Sequence, residues 1–227
     1  MSVKKSVNVL EKAGAPPYNC FLRNGGLIPG FLIGNVGKNK IYDINFAAYS
    51  KLTNMCFAYS GDERYISSDG TNFTFFMEHN GNNTFFVEDV CDGAARAILI
   101  SGHEALVYYN KNRQSFITFG KSFDCGVIHC GRLFAAKGIK IYWSGTGGFD
   151  DWSEGIGGSG EVMLSDNRGS VLNMLEFGGK VVAVRENGLT LLNMYGSPEN
   201  FSVEITDTYC EKIYRDSAQD YGKNLYF

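Results

Sequence analysis

A long segment that occurs twice, at a nearly constant separation, constrains the fold more than any other feature. The first copy reads CGRLFAAKG-IKIYWSG from Cys130, and the second reads GGKVVAVRENG-LTLLNMYG from Gly178. Each copy then runs through a loop to an aromatic residue. The matched anchors are Gly131 with Gly179, Arg132 with Lys180, Gly138 with Gly188, and Trp152 with Phe201. A repeat of this length predicts one supersecondary unit that stacks against its copies.

Weaker copies flank this pair. A third copy starts around Gly222, somewhat closer to Gly179 than the first two copies are to each other. Upstream, Ser60-Gly61-Asp62 predicts a hairpin, and Asn72-Phe73 matches the Asn-Phe pair that ends at Phe201. Most of the chain is therefore expected to consist of one kind of unit.

The runs within each unit indicate antiparallel strands. They are short, rich in β-branched and aromatic residues, and separated by brief turns of Gly, Asn and Asp. No long segment has helical periodicity. The four strands of the second copy are predicted at 170–177, 180–185, 189–195 and 201–205. Four strands in a unit of roughly 45 residues predict an all-β fold, a β-propeller-type arrangement of four-stranded antiparallel blades, partial or completed in trans.

The domain organisation follows from where the repeats begin. Residues 1–26 contain Pro16-Pro17 and a Gly25-Gly26 turn without sustained periodicity, which predicts an extended N-terminal arm. Residues 27–227 are predicted to form one propeller-like domain of four or five units. Closure of the ring by an N-terminal strand, completion by another chain, and a chain that is a fragment of a longer protein are alternatives that the sequence leaves open.

Composition excludes several classes of function. The net charge of −3 argues against a protein that coats nucleic acid through a basic surface. No apolar run approaches the length of a membrane span, so no membrane anchor is expected. Six cysteines without a secretory signal are expected to stay reduced. The CGVIHC spacing of Cys125 and Cys130 matches no zinc motif, so half-buried thiols are favoured over a metal site, and no cofactor is predicted.

The two full copies resemble β-propeller structural proteins of tailed bacteriophages and prophages. In that family a strand of the type gRlf.a.g.riywS precedes a loop ending ddW, which matches 131–144 and Asp150-Asp151-Trp152 here. A strand followed by a GsPenF loop matches 179–189 and 196–201. The family includes tail nozzle or tail-tube subunits and neck proteins that stabilise packaged DNA. The resemblance covers 125–227 well and 54–120 loosely.

This resemblance implies a virion structural protein of the tail or neck, without catalysis. Such a subunit is made in the host cytoplasm and assembles with its own copies and with other tail proteins into a ring around the DNA channel. DNA would pass without sequence-specific binding, because repulsive acidic walls let it slide. The acidic side chains that could face the lumen are Glu161, Asp166, Glu176 and Glu186.

A carbohydrate-binding or sialidase-like glycosidase propeller is the alternative. The segment from Ser67 to Phe73 resembles an Asp-box turn, in which Asp69 would cap backbone amides, Gly70 would turn the chain and Phe73 would pack beneath. That turn is a folding element in enzymes and other proteins alike. The aromatic residues that could stack on sugars are Tyr108, Tyr109, Tyr142, Trp143 and Trp152, although core packing between blades is the favoured interpretation.

Overall fold

The computed structural model of the chain describes most residues after 43 and a short piece before them. The described ranges are 21–23, 26–28, 44–70, 72–78, 84–91, 93–101, 106–119, 121–147, 149, 151–152, 158–215, 217–221 and 224–226. Within them the only helical turn is a 3₁₀ turn at Pro198–Asn200, and everything regular besides it is strand. The predicted all-β class is confirmed.

Four antiparallel sheets of four strands follow a short hairpin of β1 (Phe21–Arg23) and β2 (Gly26–Ile28). The first sheet contains β3 (Ile44–Ser50), β4 (Met55–Ser60), β5 (Glu63–Ser67) and β6 (Thr74–Glu78). The second contains β7 (Thr84–Cys91), β8 (Ala94–Ser101), β9 (Leu106–Asn110) and β10 (Ser115–Phe119). The third contains β11 (Cys125–His129), β12 (Arg132–Lys137), β13 (Lys140–Trp143) and β14 (Gly160–Met163). The fourth contains β15 (Val171–Phe177), β16 (Lys180–Arg185), β17 (Gly188–Asn193) and β18 (Ser202–Tyr209). A last hairpin joins β19 (Gln219–Tyr221) to β20 (Asn224–Tyr226).

The sheets are arranged as blades around a centre. Each sheet is a meander in sequence order, and neighbouring sheets meet chiefly through their first strands: β3 lies against β7, and β11 lies between β7 and β15. First strands that approach one another while fourth strands diverge are the propeller-type arrangement that the repeat predicts.

Apolar side chains fill each gap between neighbouring sheets. Phe57 and Leu99 lie between the first and second sheets, Ile98 and Leu133 between the second and third, and Phe134 and Met174 between the third and fourth. The second strand of each sheet is paired on both edges and covered on both faces, which is why β16 reads VVAV with all four residues fully buried.

The third and fourth sheets share one register. The first turn follows His129 in one and Phe177 in the other, and β12 and β16 have the same length. From the first turn to the start of the third strand, every strand boundary recurs at one constant separation. Gly138 lies in a turn, whereas Gly188 is the first residue of β17 and corresponds to Lys140. The predicted match of Gly138 with Gly188 is therefore wrong by two positions.

The last hairpin covers the outer face of the fourth sheet. Leu225 packs with Ile213 and Ala218 against Val182 and Val184. This hairpin lies where the third copy was predicted, although Gly222 itself falls outside the described residues. At the other end, the hairpin of β1 and β2 crosses residue 26, the predicted end of the arm, and residues 1–20 are outside the described part of the chain.

Candidate functional site

An open groove of about 340 Å³ lies beside the third sheet and is the best candidate for a binding site. Most of its lining residues come from the last two strands of that sheet or the loop between them, and Lys121 comes from the connection that enters the sheet. The described lining residues are Lys121, Tyr142, Trp152, Ser159, Gly160 and Glu161. The groove thus forms where the connection from the preceding blade meets this loop.

Aromatic rings and one ammonium group form the wall of the groove. The Trp152 ring lies 5.2 Å from that of Phe123, and Phe123 lies 5.6 Å from Tyr142, so the buried Phe123 supports both rings that line the groove. The Lys121 Nζ atom lies 4.8 Å from the Trp152 ring centroid and 5.9 Å from that of Tyr142. This cation–π arrangement holds a positive charge at the mouth of the groove.

The floor of the groove depends on a glycine. Gly160 pairs with Trp143 across β13 and β14, and a Cβ atom at Gly160 would lie 2.4 Å from the Trp143 ring. Next to it, Glu161 pairs with Tyr142 in the sheet and forms a 2.7 Å ion pair with Lys140. The groove therefore offers a flat aromatic wall with a carboxylate and an ammonium beside it. Such a surface can stack on a ring and hydrogen-bond to its polar edge.

Two of the aromatic residues proposed for stacking lie in this groove, and two do not. Tyr142 and Trp152 line it, whereas Trp143 and Tyr109 are buried in the core. The side chain of Tyr108 is outside the described part. The sequence did not single out Lys121, because the segment that carries it lies between repeats and has no pattern of its own.

The repeat anchors have structural roles. Phe201 lies between the third and fourth sheets, with its ring 5.3 Å from Trp143 and 5.9 Å from Phe134. Trp152 lies correspondingly between the second and third sheets, with its ring 5.2 Å from that of Phe123. Gly131 and Gly179 occupy the first turns with φ of +70° and +74°, which only glycine adopts without strain.

The basic anchors differ between the copies. Arg132 is buried, and its Nη1 donates hydrogen bonds to the carbonyls of Ser144 at 2.6 Å and Gly158 at 2.9 Å. Lys180 lies at the surface and forms a 2.9 Å ion pair with Glu204. The same position therefore holds a loop in the third sheet, whereas in the fourth sheet it links β16 to β18 across β17.

Asp166 belongs to a network between the third and fourth sheets. Its carboxylate pairs with Arg168 at 2.9 Å and with the fully buried Arg185, which also donates to the carbonyl of Gly169. Burial raises the pKa of Asp166, but hydrogen bonds from Arg168 and Arg185 outweigh it and lower the pKa overall. With 18% of its side chain exposed, Asp166 has little surface left to face a channel.

The structure does not bring the four predicted lumen acids together. Glu161 lies on the fourth strand of its sheet, and Glu186 lies in the turn after β16, where it accepts a hydrogen bond from the Ser170 amide at 3.1 Å. Of the four, only Glu176 lies on a first strand, β15, nearest the centre. The four acids therefore do not share one surface of the chain.

The segment predicted as an Asp-box-like turn lies between β5 and β6. The Asp69 Oδ1 atom accepts hydrogen bonds from the Ser67 hydroxyl and the Asn72 amide, both at 2.8 Å. Gly70 has a φ of +71°, and Phe73 is buried against Cys56 and Ala58. Phe73 directly precedes the fourth strand of its sheet, as Phe201 does in the fourth sheet. The turn is therefore a variant of the same loop.

Metal sites and membrane-spanning helices are both absent from the described residues. No group of three or more His, Cys, Asp or Glu side chains there is placed to hold a metal ion. None of the helical structure in that part has the length and apolar character needed to cross a membrane. Among the cysteines whose side chains are described, Cys56, Cys125, Cys130 and Cys210 are free thiols.

Comparison with known proteins supports the fold alone. No protein-family model matches the chain, and no curated protein matches it. The extracellular domain of the one-component system BT4673 of B. thetaiotaomicron is 11% identical with a TM-score of 0.50 over 74% of this chain and 23% of that one. BBS1N in complex with ARL6DN is 11% identical with a TM-score of 0.48 over 90% and 65%. The Neurospora crassa Pan2 WD40 domain is 7% identical with a TM-score of 0.32 over 73% and 67%. The chain thus spans less than two thirds of the first two proteins.

Proposed function

We propose that this chain is a non-catalytic structural subunit of the tail or neck of a tailed bacteriophage, which assembles with its own copies and with adjacent tail proteins around the DNA channel. It would be made in the bacterial cytoplasm and act in the virion. The observation that carries the proposal is the resemblance of the ddW and GsPenF loops to that family, because the two loops occupy the same place in consecutive blades.

The exposed surface of the chain suits a protein that acts by binding other subunits. Tyr195, Tyr209 and Tyr214 are all large, exposed side chains of the fourth sheet or the segment after it. Tyrosine is enriched in protein interfaces, since its ring buries area and its hydroxyl stays hydrated. The net charge of −3 favours passage of DNA over its retention.

Assembly state tests the proposal directly. The purified full chain is measured by light scattering and negative-stain electron microscopy over a range of concentrations, and then by gel shift with duplex DNA at low salt. We expect a ring-shaped homo-oligomer that does not retain DNA. A chain that stays monomeric at every concentration and does not join rings with co-expressed tail proteins would overturn the proposal.

Carbohydrate binding in the groove is a second candidate, favoured by the pair of Tyr142 and Trp152 at its wall. Aromatic faces beside polar groups are the usual surface on which sugar rings stack. Glu161 is the one carboxylate among the described lining residues, whereas glycoside hydrolysis uses a pair held at a fixed separation. The groove therefore supports binding better than hydrolysis.

Tryptophan fluorescence measures this second function. The chain has two tryptophans, and Trp152 is the one that lines the groove. We expect a saturable change in emission with a panel of neutral and acidic oligosaccharides, which Trp152→Phe removes. Lys111→Ala, a surface change in the second sheet, is the control and keeps the response. A flat titration with the whole panel would refute carbohydrate binding without affecting the structural proposal.

A further inference from the structure

An exposed thiol, a buried imidazole and a carboxylate meet where the first strands of the third and fourth sheets adjoin. His129 ends β11, and Cys130 follows it in the turn. The Cys130 Sγ atom lies 3.3 Å from His129 Nε2. On the other side of the ring, His129 Nδ1 lies 3.4 Å from the Glu176 Oε2 atom on β15. The imidazole therefore stands between a thiol and a carboxylate.

Burial fixes the imidazole in this position. The His129 side chain is 4% exposed and lies against the ring of Phe134, at 6.1 Å between ring centroids. Its Nδ1 atom has no aligned hydrogen bond, so the Glu176 carboxylate lies beside this nitrogen without bonding to it. Arg132, the strand partner of His129, directs its guanidinium to the carbonyls of Ser144 and Gly158. Glu176 is thus the charged group that faces the ring from the neighbouring sheet.

Two other described cysteines have the opposite environment. Burial, and secondarily the charge of Asp69, raises the pKa of Cys56 to about 11. Burial is also the main cause that raises the pKa of Cys125 to about 12. Both thiols are enclosed in the core and stay protonated at neutral pH. Cys130 combines exposure with a base within hydrogen-bond distance, which is how nucleophilic thiols are built.

We infer that Cys130 is a reactive modification site that exchanges with low-molecular-weight disulfides, with His129 as its general base and Glu176 as the positioning residue. The Cys130 thiol gives its proton to His129 Nε2 as its sulfur attacks one sulfur of the disulfide. The S–S bond of the reagent breaks and a mixed disulfide forms at Cys130. The leaving thiolate takes the proton from His129, so the disulfide is the oxidant and no other reactant is needed. The reaction happens once per chain and is independent of the proposed function.

The test is the rate of mixed-disulfide formation with oxidised glutathione at pH 7, measured at each cysteine by peptide mass spectrometry on the folded full chain. We expect His129→Gln to slow the reaction at Cys130 by roughly tenfold, below the ~10²–10⁴ of a complete enzyme site because Cys130 lies in water. Glu176→Gln is expected to slow it by about threefold, since the carboxylate acts only through the ring.

Glu204→Gln is the matched control, because it removes the same charge from a similarly exposed glutamate that pairs with Lys180 instead. It is expected to leave the rate at Cys130 unchanged. Circular dichroism establishes that each variant is folded. If His129→Gln does not fold, the ratio of the Cys130 reaction rates in Glu176→Gln and Glu204→Gln decides. Equal rates at Cys130 in the wild type and in the folded His129→Gln and Glu176→Gln variants would overturn the inference.

Discussion

The third and fourth sheets place a basic residue at the same position and use it in opposite ways. Lys137 ends β12 and Arg185 ends β16, at equivalent places in the repeat, and each pairs with an aspartate from the connection that enters its sheet. Lys137 is 41% exposed and lies 3.3 Å from Asp124, whereas Arg185 is fully buried and pairs with Asp166. The two sheets share one backbone structure, but the local environment decides whether the ion pair lies at the surface or joins buried groups.

The same contrast holds for the loops between third and fourth strands. In the fourth sheet this loop is short and closes on Phe201, which is packed against the third sheet. In the third sheet the corresponding loop is longer, and its aromatic residue, Trp152, is left at the wall of a groove. The strands therefore keep the same blade structure in both sheets, whereas the longer loop of the third sheet forms the groove that could bind a ligand.

The largest expected effect on stability comes from replacing Arg185, the buried one of the two equivalent basic residues. Arg185→Ala removes the buried partner of the Gly169 carbonyl and of the Asp166 carboxylate, which then keeps only Arg168, so we expect a loss of ~3–5 kcal/mol in the free energy of unfolding. Lys137→Ala is the matched control and should change it by less than about 0.5 kcal/mol. Urea denaturation measures both, and equal losses would contradict the contrast between the sheets.

Truncation of the loop aromatics should separate packing from binding. Phe201→Ala removes a ring in contact with Trp143 and Phe134, so we expect a loss of ~2–3 kcal/mol in unfolding free energy. Trp152→Ala should cost less, ~1–2 kcal/mol, because one face of its ring borders the groove. Thermal denaturation compares them. If Trp152→Ala proved the more costly change, Trp152 would be a core residue and the groove would lose its wall.

A methyl group at the groove floor should be poorly tolerated. Gly160→Ala brings a Cβ atom into the Trp143 ring, and we expect ~1–3 kcal/mol of destabilisation as the ring is displaced. Ser159→Ala next to it is the control, with an expected change below about 0.5 kcal/mol. A neutral effect of Gly160→Ala in urea denaturation would show that Trp143 does not cover this position.

The side-chain hydrogen bonds of the Asp-box-like turn should stabilise the folded state by about as much as a helix cap does. Asp69→Ala removes the acceptor of the Ser67 hydroxyl and the Asn72 amide, so the expected loss is about 1 kcal/mol. Asp62→Ala, in the exposed turn between β4 and β5, is the control. Were the two variants equally stable, the side-chain bonds of Asp69 would add nothing to the first sheet.

The smallest effect is a dependence of stability on pH. Since the folded-state pKa of Asp166 is lowered, its contribution is complete above the unfolded value near ~3.9 and is lost as the pH falls through the folded value. We therefore expect Asp166→Asn to reduce stability at pH 7 and to flatten the decline below about pH 4. Urea midpoints from pH 7 to pH 3 measure this, and parallel curves for the two proteins would refute it.

The sequence predicted the strands better than the surfaces. The four strands of the fourth sheet were located to within a few positions, because alternation, buried runs and turn glycines all agree there. The match of Gly138 with Gly188 was wrong because a glycine can turn a hairpin or begin a strand, and sequence spacing does not distinguish them. The sequence did not indicate that position 160 requires a glycine, since only the strand register shows that Trp143 lies opposite Gly160.

Contacts between side chains of different sheets could not be predicted from the sequence, for a physical reason. Glu176 lies a whole repeat away from His129 along the chain and reaches it only because first strands adjoin at the centre. The sequence does show His129 next to Cys130, but the CGVIHC spacing favours half-buried thiols and does not indicate a reactive site. Lys121 likewise reaches the groove from a connection without a pattern.

An experimental structure of the purified full chain is the decisive measurement, because a propeller-type arrangement requires the third and fourth sheets to be copies of one blade. We predict that β11–β13 and β15–β17 superpose with Arg132 on Lys180, and that β11 and β15 lie side by side at the centre. A map in which these two strands lie at the outer edges of their sheets, or in which the two segments fold differently, would contradict the propeller-type arrangement and remove the support for the proposed role in the virion.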